Sequence, residues 1–241
     1  MEKRKWGLSI DIEGFSKKYE HSERMKDAEI MALNELMSAV IKIGENVYPG
    51  KPVNNYSERL FAHQFGDGFV ITSDFYERNA ERCVAIAFSL MRHMMLRGYA
   101  TKVAISTGGM SDISGCYPEA VRDSKCNRVH IGRGLMTTVS VMGTALTRSH
   151  KLLSRISGSV LVLDESRFEK IPRKVVASQK KEYFTIDWLS NELTLAQEIS
   201  AAANLEYGDR AQLLKSFDRY ITQEPVPPPY WVESTLASWK C

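Results

Sequence analysis

The chain has 241 residues, 44% of them hydrophobic, and a formal net charge of +3. This length and composition suit a globular protein with a full hydrophobic core, and so small a charge does not indicate a nucleic-acid-binding or membrane-binding surface. The first residues form neither a secretion signal nor an apolar stretch that could span a membrane, so we expect a cytoplasmic protein. The four cysteines show no Cys-x-x-Cys spacing, which favours free thiols.

Strands and helices alternate in the first half of the chain. Apolar periodicity predicts a strand over residues 6–11, a long amphipathic helix over about 17–48, a β-hairpin over 60–74, a helix over about 75–96 and a strand over about 101–106. This βαββαβ order predicts an α+β, ferredoxin-like core in which helices cover one face of an antiparallel sheet.

The second half of the chain adds further strands and a helical end. After a polar, basic loop over about 110–133, the pattern predicts a strand over 135–142, a helix over 143–153 and strands over 160–164 and near 182–188. From about residue 191 the pattern is helical, and four prolines between 225 and 229 should stop it in an extended segment. We therefore predict a main domain over 1–190 and a helical, proline-rich C-terminal extension over 191–241.

Two aspartates are candidates for chemistry. Asp67 lies in a Gly66-Asp67-Gly68 turn between apolar strands, where glycine supplies the positive φ that such hairpin turns require. An aspartate at this place usually serves the turn alone. Asp11, near the end of a predicted central strand, changes that interpretation, because a carboxylate there is costly to bury unless it is paired or binds a metal. The sequence predicts that the two carboxylates share a metal site.

The stretches around these aspartates resemble those of a known family. Asp11-Ile12-Glu13-Gly14-Phe15-Ser16 resembles the first metal motif of class III nucleotidyl cyclases, and Phe65-Gly66-Asp67-Gly68-Phe69 resembles the second. Lys102-Val103-Ala104-Ile105-Ser106-Thr107-Gly108-Gly109 is similar to the family's strand ending in His-Thr-Gly, with Ser106 in place of the histidine. The resemblance extends from about residue 6 to about residue 164 and includes the order of strands and helices.

The resemblance implies an enzyme with two divalent cations, Mn²⁺ or Mg²⁺, held by Asp11, Asp67 and the backbone carbonyl of Ile12. In the family these ions activate the ribose 3′-hydroxyl and grip the triphosphate, so that a 3′,5′-cyclic nucleotide and pyrophosphate are formed. Phe15 and Ser16 of the first motif are expected beside the substrate. The family builds each site from two subunits, which implies a homodimer with two sites.

A late motif of the family aligns on Gly143 and carries two departures. Thr147 stands where an asparagine normally orients the ribose, and Lys151 stands where an arginine normally meets the triphosphate. Arg148 could supply the planar guanidinium instead, although a solvated basic helix face is an equally good interpretation of both cations. Basic residues of the preceding loop could meet phosphates at the subunit interface. They are Arg122, Lys125, Arg128 and Arg133.

The positions that select the base carry neither purine pattern of the family. His63 stands where the family's ATP cyclases carry Lys and its GTP cyclases carry Glu. Ser140 stands where these enzymes carry Asp or Cys. A smaller base leaves room for a larger side chain, and a histidine can donate to uracil O4 or accept from the cytosine amine. An ordinary strand histidine remains as good an interpretation of His63. Tyr56 and Arg59 are further candidates for contact with the base.

The resulting hypothesis is a compact cyclase like the bacterial uridylate and cytidylate cyclases of anti-phage signalling, with UTP favoured over CTP and an effector that reads the product. One alternative is an adenylate or guanylate cyclase with divergent base contacts. A second is a degenerate cyclase fold that binds nucleotide without turnover. A nucleic-acid partner is not expected, since the basic loop lacks interleaved aromatic residues.

Overall fold

The computed structural model describes residues 5–47, 60–122, 128–164 and 168–239. The strands are Lys5–Ile12 (β1), Leu60–Phe65 (β2), Gly68–Ser73 (β3), Thr101–Gly108 (β4), Ser111–Asp112 (β5), Arg128–Ile131 (β6), Gly134–Thr137 (β7), Val141–Met142 (β8), Leu161–Asp164 (β9), Val176–Gln179 (β10) and Tyr183–Ile186 (β11). The helices are Phe15–Tyr19 (α1), Glu23–Val47 (α2), Glu81–Leu96 (α3), Glu119–Arg122 (α4), Thr144–Leu153 (α5), Thr194–Ala202 (α6), Arg210–Ile221 (α7) and Pro229–Ala237 (α8).

The main sheet of the described ranges has seven strands in the order β10-β11-β9-β4-β1-β3-β2. All neighbouring strands are antiparallel except β4 and β9, which are parallel. The portion β4-β1-β3-β2 has the strand order of a ferredoxin-like βαββαβ unit. The predicted α+β, ferredoxin-like fold with extra strands and C-terminal helices is therefore confirmed.

The central strand β1 is buried on both sides of the sheet. Because side chains alternate along a strand, Trp6, Leu8 and Ile10 face the main hydrophobic core with α2 and α3. Ser9 lies on the other face, where its hydroxyl is 2.8 Å from the hydroxyl of Ser149 on α5. Asp11 shares the parity of Ser9, so the candidate metal residue lies on the face that α5 covers.

The C-terminal helices pack into the main core. Apolar side chains of α6, α7 and α8 belong to the same buried cluster as β1 and α3; they include Ala196, Ile199, Leu213, Phe217 and Trp231. The helical pattern stops at Ile221 and Pro228 is extended, as the sequence suggested, but Pro229 then starts a further helix, α8. Proline suits the first turn of a helix, where its missing N–H would have no partner.

Two predicted elements divide in the structure. The long first helix is interrupted after Tyr19, and the hydroxyl of Ser22 accepts from the N–H of Met25 to cap the start of α2. The strand predicted over 135–142 changes partner, since β7 pairs with β6 whereas β8 pairs with β5. None of the helices in the described ranges is long and apolar enough to cross a bilayer.

Candidate metal and nucleotide site

The two candidate aspartates meet where β1 and β3 pair. Asp11 lies directly opposite Gly68, the residue that follows Asp67. A Cβ atom on Gly68 would lie 2.3 Å from the carbonyl oxygen of Ile10 and 3.0 Å from Oδ1 of Asp11, so only glycine permits this close pairing. The two carboxylates lie close enough for the charge of Asp11 to raise the pKa of Asp67. The strands thus bring together the two residues that the sequence singled out.

The charges of this carboxylate pair are incompletely balanced. Burial and the negative charge of Asp11 raise the pKa of Asp67 to about 6, and the nearby ammonium of Lys102 only partly offsets them. Two carboxylates that repel one another in a half-buried place attract cations, because a bound cation removes the repulsion. The arrangement therefore has the electrostatics of an oxygen-ligand metal site.

Lys102 is a component of the site to which the sequence analysis gave no role. It pairs with Asp11 across β1 and β4, and its Nζ lies 3.3 Å from Oδ2 of Asp11 and 2.9 Å from Oε1 of Glu13. Burial alone would lower the pKa of Lys102, but the charges of Glu13 and Asp11 raise it above its ordinary value. The side chain is a fixed cation beside Asp11 and Glu13. The signal for this role in the sequence was a basic residue near the start of the strand predicted over about 101–106.

A cavity of about 260 Å³ opens at the aspartate pair. Its other walls come from the hairpin, from β4 and from the end of α5, and they include Phe65, Lys102, His150, Leu153 and Ser154. The rings of Phe65 and His150 lie 6.4 Å apart. The cavity thus joins a polar end, where the carboxylates lie, to an aromatic rim.

The α5 residues that the resemblance assigned to ribose and triphosphate do not line this cavity within one chain. Thr147 and Lys151 are exposed and lie one turn apart. The hydroxyl of Thr147 lies 3.4 Å from the carbonyl oxygens of Gly143 and Thr144 on its own helix. Arg148 is half-buried and donates to the carbonyl of Thr107 at 3.2 Å. These side chains therefore face a different part of the surface from Asp11.

The start of α5 is held tightly against the end of β4. A Cβ atom on Gly143 would lie 2.1 Å from the carbonyl oxygen of Gly109, so this position requires glycine. The hydroxyl of Thr144 accepts from the N–H of Gly109 at 2.9 Å. On β4 itself, the hydroxyl of Ser106 donates to Asp164 at 2.7 Å. The exposed residues of α5 are thus carried on a firmly packed helix.

The remaining residues of the first motif lie around the end of β1. Ile12 pairs with Thr101 and buries its side chain in the main core, so only its backbone is available to a metal. Phe15 is half-buried and stacks on Tyr19 with ring centres 5.6 Å apart, whereas Ser16 is exposed. Ser16 is therefore open to solvent a few residues after Asp11.

The candidate base-reading residues lie on different elements of the fold. His63 lies on β2 opposite Val70, on the same strand face as Phe65, which lines the cavity. Its Nε2 is buried and has no hydrogen-bond partner among the described residues, and burial lowers the pKa of His63. Ser140 precedes β8, where its carbonyl accepts from the N–H of Ile113 at 2.7 Å. Tyr56 and Arg59 lie outside the described residues.

The basic loop of the sequence is only partly described. Arg122 and Arg133 are exposed, whereas Lys125 and the side chain of Arg128 lie outside the described residues. No group of three or more His, Cys, Asp or Glu side chains in the described ranges is placed to hold a metal ion. A metal at the carboxylate pair would therefore complete its ligands from backbone carbonyls, water or substrate oxygens, which suits Mg²⁺ and Mn²⁺.

Comparison with known proteins gives likeness in structure alone. No family model and no curated protein matches the sequence. A class III adenylyl cyclase-like ATP-binding protein from Pseudomonas aeruginosa has a similar solved structure, with 12% identity and a TM-score of 0.45. The match covers 89% of this chain and 40% of that one, so the chain spans two fifths of its length. The fold class stated above rests on the strand order and directions of this chain.

Proposed function

We propose that the chain is a nucleotidyl cyclase that converts a pyrimidine nucleoside triphosphate into the 3′,5′-cyclic monophosphate and pyrophosphate. UTP is the favoured substrate and CTP the next. The product would act in the cytosol of a bacterium as an antiviral signal that a cyclic-nucleotide-binding effector reads. The observation that carries the cyclase proposal is the Asp11–Asp67 pair, held by Gly68 at a cavity beside a fixed lysine.

The residues of this chain divide the work of such a reaction. Asp11 and Asp67, with the backbone carbonyl of Ile12, would hold two divalent ions, Mn²⁺ or Mg²⁺. These ions would supply the charge that stabilises the triphosphate and makes the ribose 3′-hydroxyl a better nucleophile. Lys102 adds a positive charge 3.3 Å from Asp11, within the cavity where the phosphates would lie. Phe15 and Ser16 would border the substrate.

A homodimer accounts for the placement of α5. Thr147, Arg148 and Lys151 lie away from the cavity of their own chain, so they would serve the site of a partner. The β6–β7 hairpin supports this assembly, because an isolated two-stranded ribbon is weakly stable and this one exposes Ile131 and Leu135 at 59% and 58%. A second copy of the chain is the partner that would cover these apolar side chains.

The preference for a pyrimidine rests on His63 and Ser140. The lowered pKa of His63, caused by burial, keeps the imidazole neutral near pH 7, with one nitrogen as a donor and the other as an acceptor. Its Nε2 lacks a partner among the described residues, so a base edge could satisfy it. His63 and Ser140 would contact the base at positions where purine-selective enzymes of the family carry a lysine or a carboxylate.

The deciding experiment is incubation of the purified protein with Mn²⁺ and each of ATP, GTP, CTP and UTP separately, with products resolved by chromatography and mass. Cyclic UMP, with less cyclic CMP, is the expected result. A cyclic purine as the main product would retain the cyclase proposal and refute the base assignment. Absence of product with all four nucleotides, in a protein that still binds Mn²⁺ and nucleotide, would refute turnover.

A second candidate is a nucleotide-binding protein of the same fold that does not turn over. The hydroxyl of Thr147 is within hydrogen-bonding distance of its own helix backbone, where the family carries an asparagine free to orient ribose. This contact favours a weakened ribose site. The incubation described above separates the two candidates, because a binding protein would retain triphosphate unchanged.

The His63→Ala variant tests the base assignment apart from catalysis. We expect the preference for UTP over ATP to fall by up to about 10-fold, since one hydrogen bond to the base is worth roughly 0.5–1.5 kcal/mol. The maximal rate with the best nucleotide should change less than the preference does. Competition assays with paired nucleotides measure this ratio, and an unchanged ratio would place base recognition elsewhere.

A further inference from the structure

Glu13, between β1 and α1, is held by contacts to all of its polar groups. Glu13 is 8% exposed, and its N–H donates to the carbonyl of Ala100 at 2.9 Å. Its own carbonyl accepts from the hydroxyl of Tyr220 at 3.0 Å. Its carboxylate accepts from Nε1 of Trp231 at one oxygen and pairs with Lys102 at the other. Every polar group of Glu13 therefore has a partner.

Two of these partners come from the far end of the chain. Tyr220 is on α7 and Trp231 is on α8, 207 and 218 residues away from Glu13. Both are buried, at 4% and 5% exposure, and their rings lie 5.5 Å apart. Burial raises the pKa of Tyr220 well above its ordinary value, so its hydroxyl stays protonated and can donate. We call Glu13, Tyr220 and Trp231 the Glu13 clamp.

The same element also reaches the helix that follows the metal motif. Nζ of Lys18 on α1 lies 4.5 Å from the centre of the Tyr220 ring, a cation–π distance, and 3.6 Å from Oε1 of Glu29 on α2. The C-terminal helices thus contact both sides of the turn at Glu13 and Gly14. A shift of Glu13 would break its contacts to both α7 and α8.

From these contacts we infer that the C-terminal helices position the metal site, with Tyr220 and Trp231 acting through Glu13 on Asp11 and on the backbone of Ile12. Glu13 is two residues from Asp11 and next to Ile12, and it also anchors Lys102, whose Nζ lies 3.3 Å from Asp11. Groups that orient metal ligands typically change metal affinity by about 10- to 100-fold. This inference rests on the metal site of the proposed function.

The test compares two tryptophan-to-phenylalanine variants of the full chain. Trp231→Phe removes the indole donor to Glu13. Trp239→Phe is the matched control, because Trp239 is 7% exposed, packs on the same Phe217 ring, and has no partner for its Nε1 among the described residues. Tyr220→Phe removes only the hydroxyl that donates to Glu13. Mn²⁺ affinity is read from the paramagnetic resonance signal of the free ion.

We expect Trp231→Phe and Tyr220→Phe to weaken Mn²⁺ binding by about 10-fold and Trp239→Phe to leave it unchanged. Amide exchange of residues 11–16 should quicken in the first two variants and not in the third. Equal losses of affinity in both tryptophan variants, or no loss in any variant, would overturn the inference. If the wild-type protein binds no Mn²⁺, the proposed function fails, and amide exchange alone then upholds or refutes the clamp.

Discussion

Two regions of the molecule differ in how far the protein compensates the charges of their side chains. Arg92 on α3 is completely buried, at 0% exposure. Its guanidinium donates to the carbonyls of Trp188, Leu189, Asn191 and Gly208 and to the carboxylate of Glu192. A buried cation with this many acceptors retains its favourable interactions and ties the C-terminal segment to the core.

The Asp11–Asp67 pair has the opposite character. Its two carboxylates lie side by side with a single lysine, which Glu13 shares, so the negative charge is under-compensated. The fold keeps this unfavourable pair through the glycine at position 68 and the burial of both strands. A buried charge that is fully hydrogen-bonded within the protein indicates a structural role. A pair of like charges that the protein compensates only in part indicates a site where a ligand binds.

The largest effect should come from Asp67→Asn. We expect metal-dependent turnover to fall by at least about 10³-fold, equivalent to roughly 4 kcal/mol in the barrier. The same change should stabilise the fold by about 1 kcal/mol, after allowance for solvent screening, because it removes the repulsion from Asp11. Turnover assays and urea denaturation without metal measure the two effects.

The matched control is Asp74→Asn, at the other end of the same hairpin, where the carboxylate pairs with Lys5 at 2.7 Å. This variant should keep its turnover and gain no stability. If Asp67→Asn retained turnover, Asp67 would have no place in the mechanism. If it lost stability, the difference drawn between the two charged regions would be wrong.

Arg92→Met should show the reverse behaviour. Removal of the guanidinium leaves several buried carbonyls without a donor, and we expect unfolding free energy to fall by about 3 kcal/mol. Mn²⁺ affinity of the remaining folded protein should not change. Arg97→Met is the control, because Arg97 is 48% exposed and its ion pairs with Glu35 and Glu206 should contribute little. Equal losses in the two variants, measured by urea denaturation, would contradict the structural role of Arg92.

A feature of the fold or site could be predicted from the sequence where the residues that determine it lie close together along the chain. The alternating strands and amphipathic helices carry local periodicity, so the ferredoxin-like order of β1 to β4 was accessible. Asp67 was accessible because a glycine-flanked aspartate marks a turn, and Asp11 because a carboxylate in an apolar strand is conspicuous. Each of these signals lies within a few residues of the side chain concerned.

The remainder of the site depends on contacts between distant parts of the chain. The bond from Trp231 to Glu13 spans 218 residues and leaves no local pattern. The position of Lys102 opposite Asp11 depends on the register of β1 against β4, and a shift by one residue would turn Lys102 to the other face. The helix that begins at Pro229 was not predicted, because proline occurs both after the end of a helix and in the first turn of the next one.

Lys102→Met sharpens the comparison at the site itself. Loss of a positive charge 3.3 Å from Asp11 should tighten Mn²⁺ binding by about 5-fold, or roughly 1 kcal/mol in this partly exposed place. Binding of triphosphate without metal should weaken instead. Lys5→Met removes the 2.7 Å pair with Asp74 at the opposite end of β1 and should change neither affinity. Calorimetric titration gives both constants, and weaker Mn²⁺ binding in Lys102→Met would show that the lysine does not compete with the metal.

The smallest expected effect concerns His93, the neighbour of Arg92 on α3. Its Nδ1 accepts from the N–H of Glu206 at 3.1 Å, so the neutral ring carries its proton on Nε2, 2.8 Å from Oε1 of Glu35. A second proton, on Nδ1, would repel the N–H of Glu206 that donates to this nitrogen. Burial lowers the pKa of His93, and the attraction of Glu35 only partly offsets it, while Arg97 adds to the lowering.

The sign of the pH effect follows from this lowered pKa. Below the ordinary histidine pKa of about 6.5, the unfolded chain takes up a proton that the folded chain resists, so stability falls as the pH falls. We expect wild-type unfolding free energy to decrease by roughly 1 kcal/mol more than that of His93→Gln between about pH 7 and about pH 5.5. His21→Gln, at an exposed position between α1 and α2, should follow the wild type. Parallel curves for wild type and His93→Gln would mean that His93 is protonated as easily in the folded protein as in the unfolded chain.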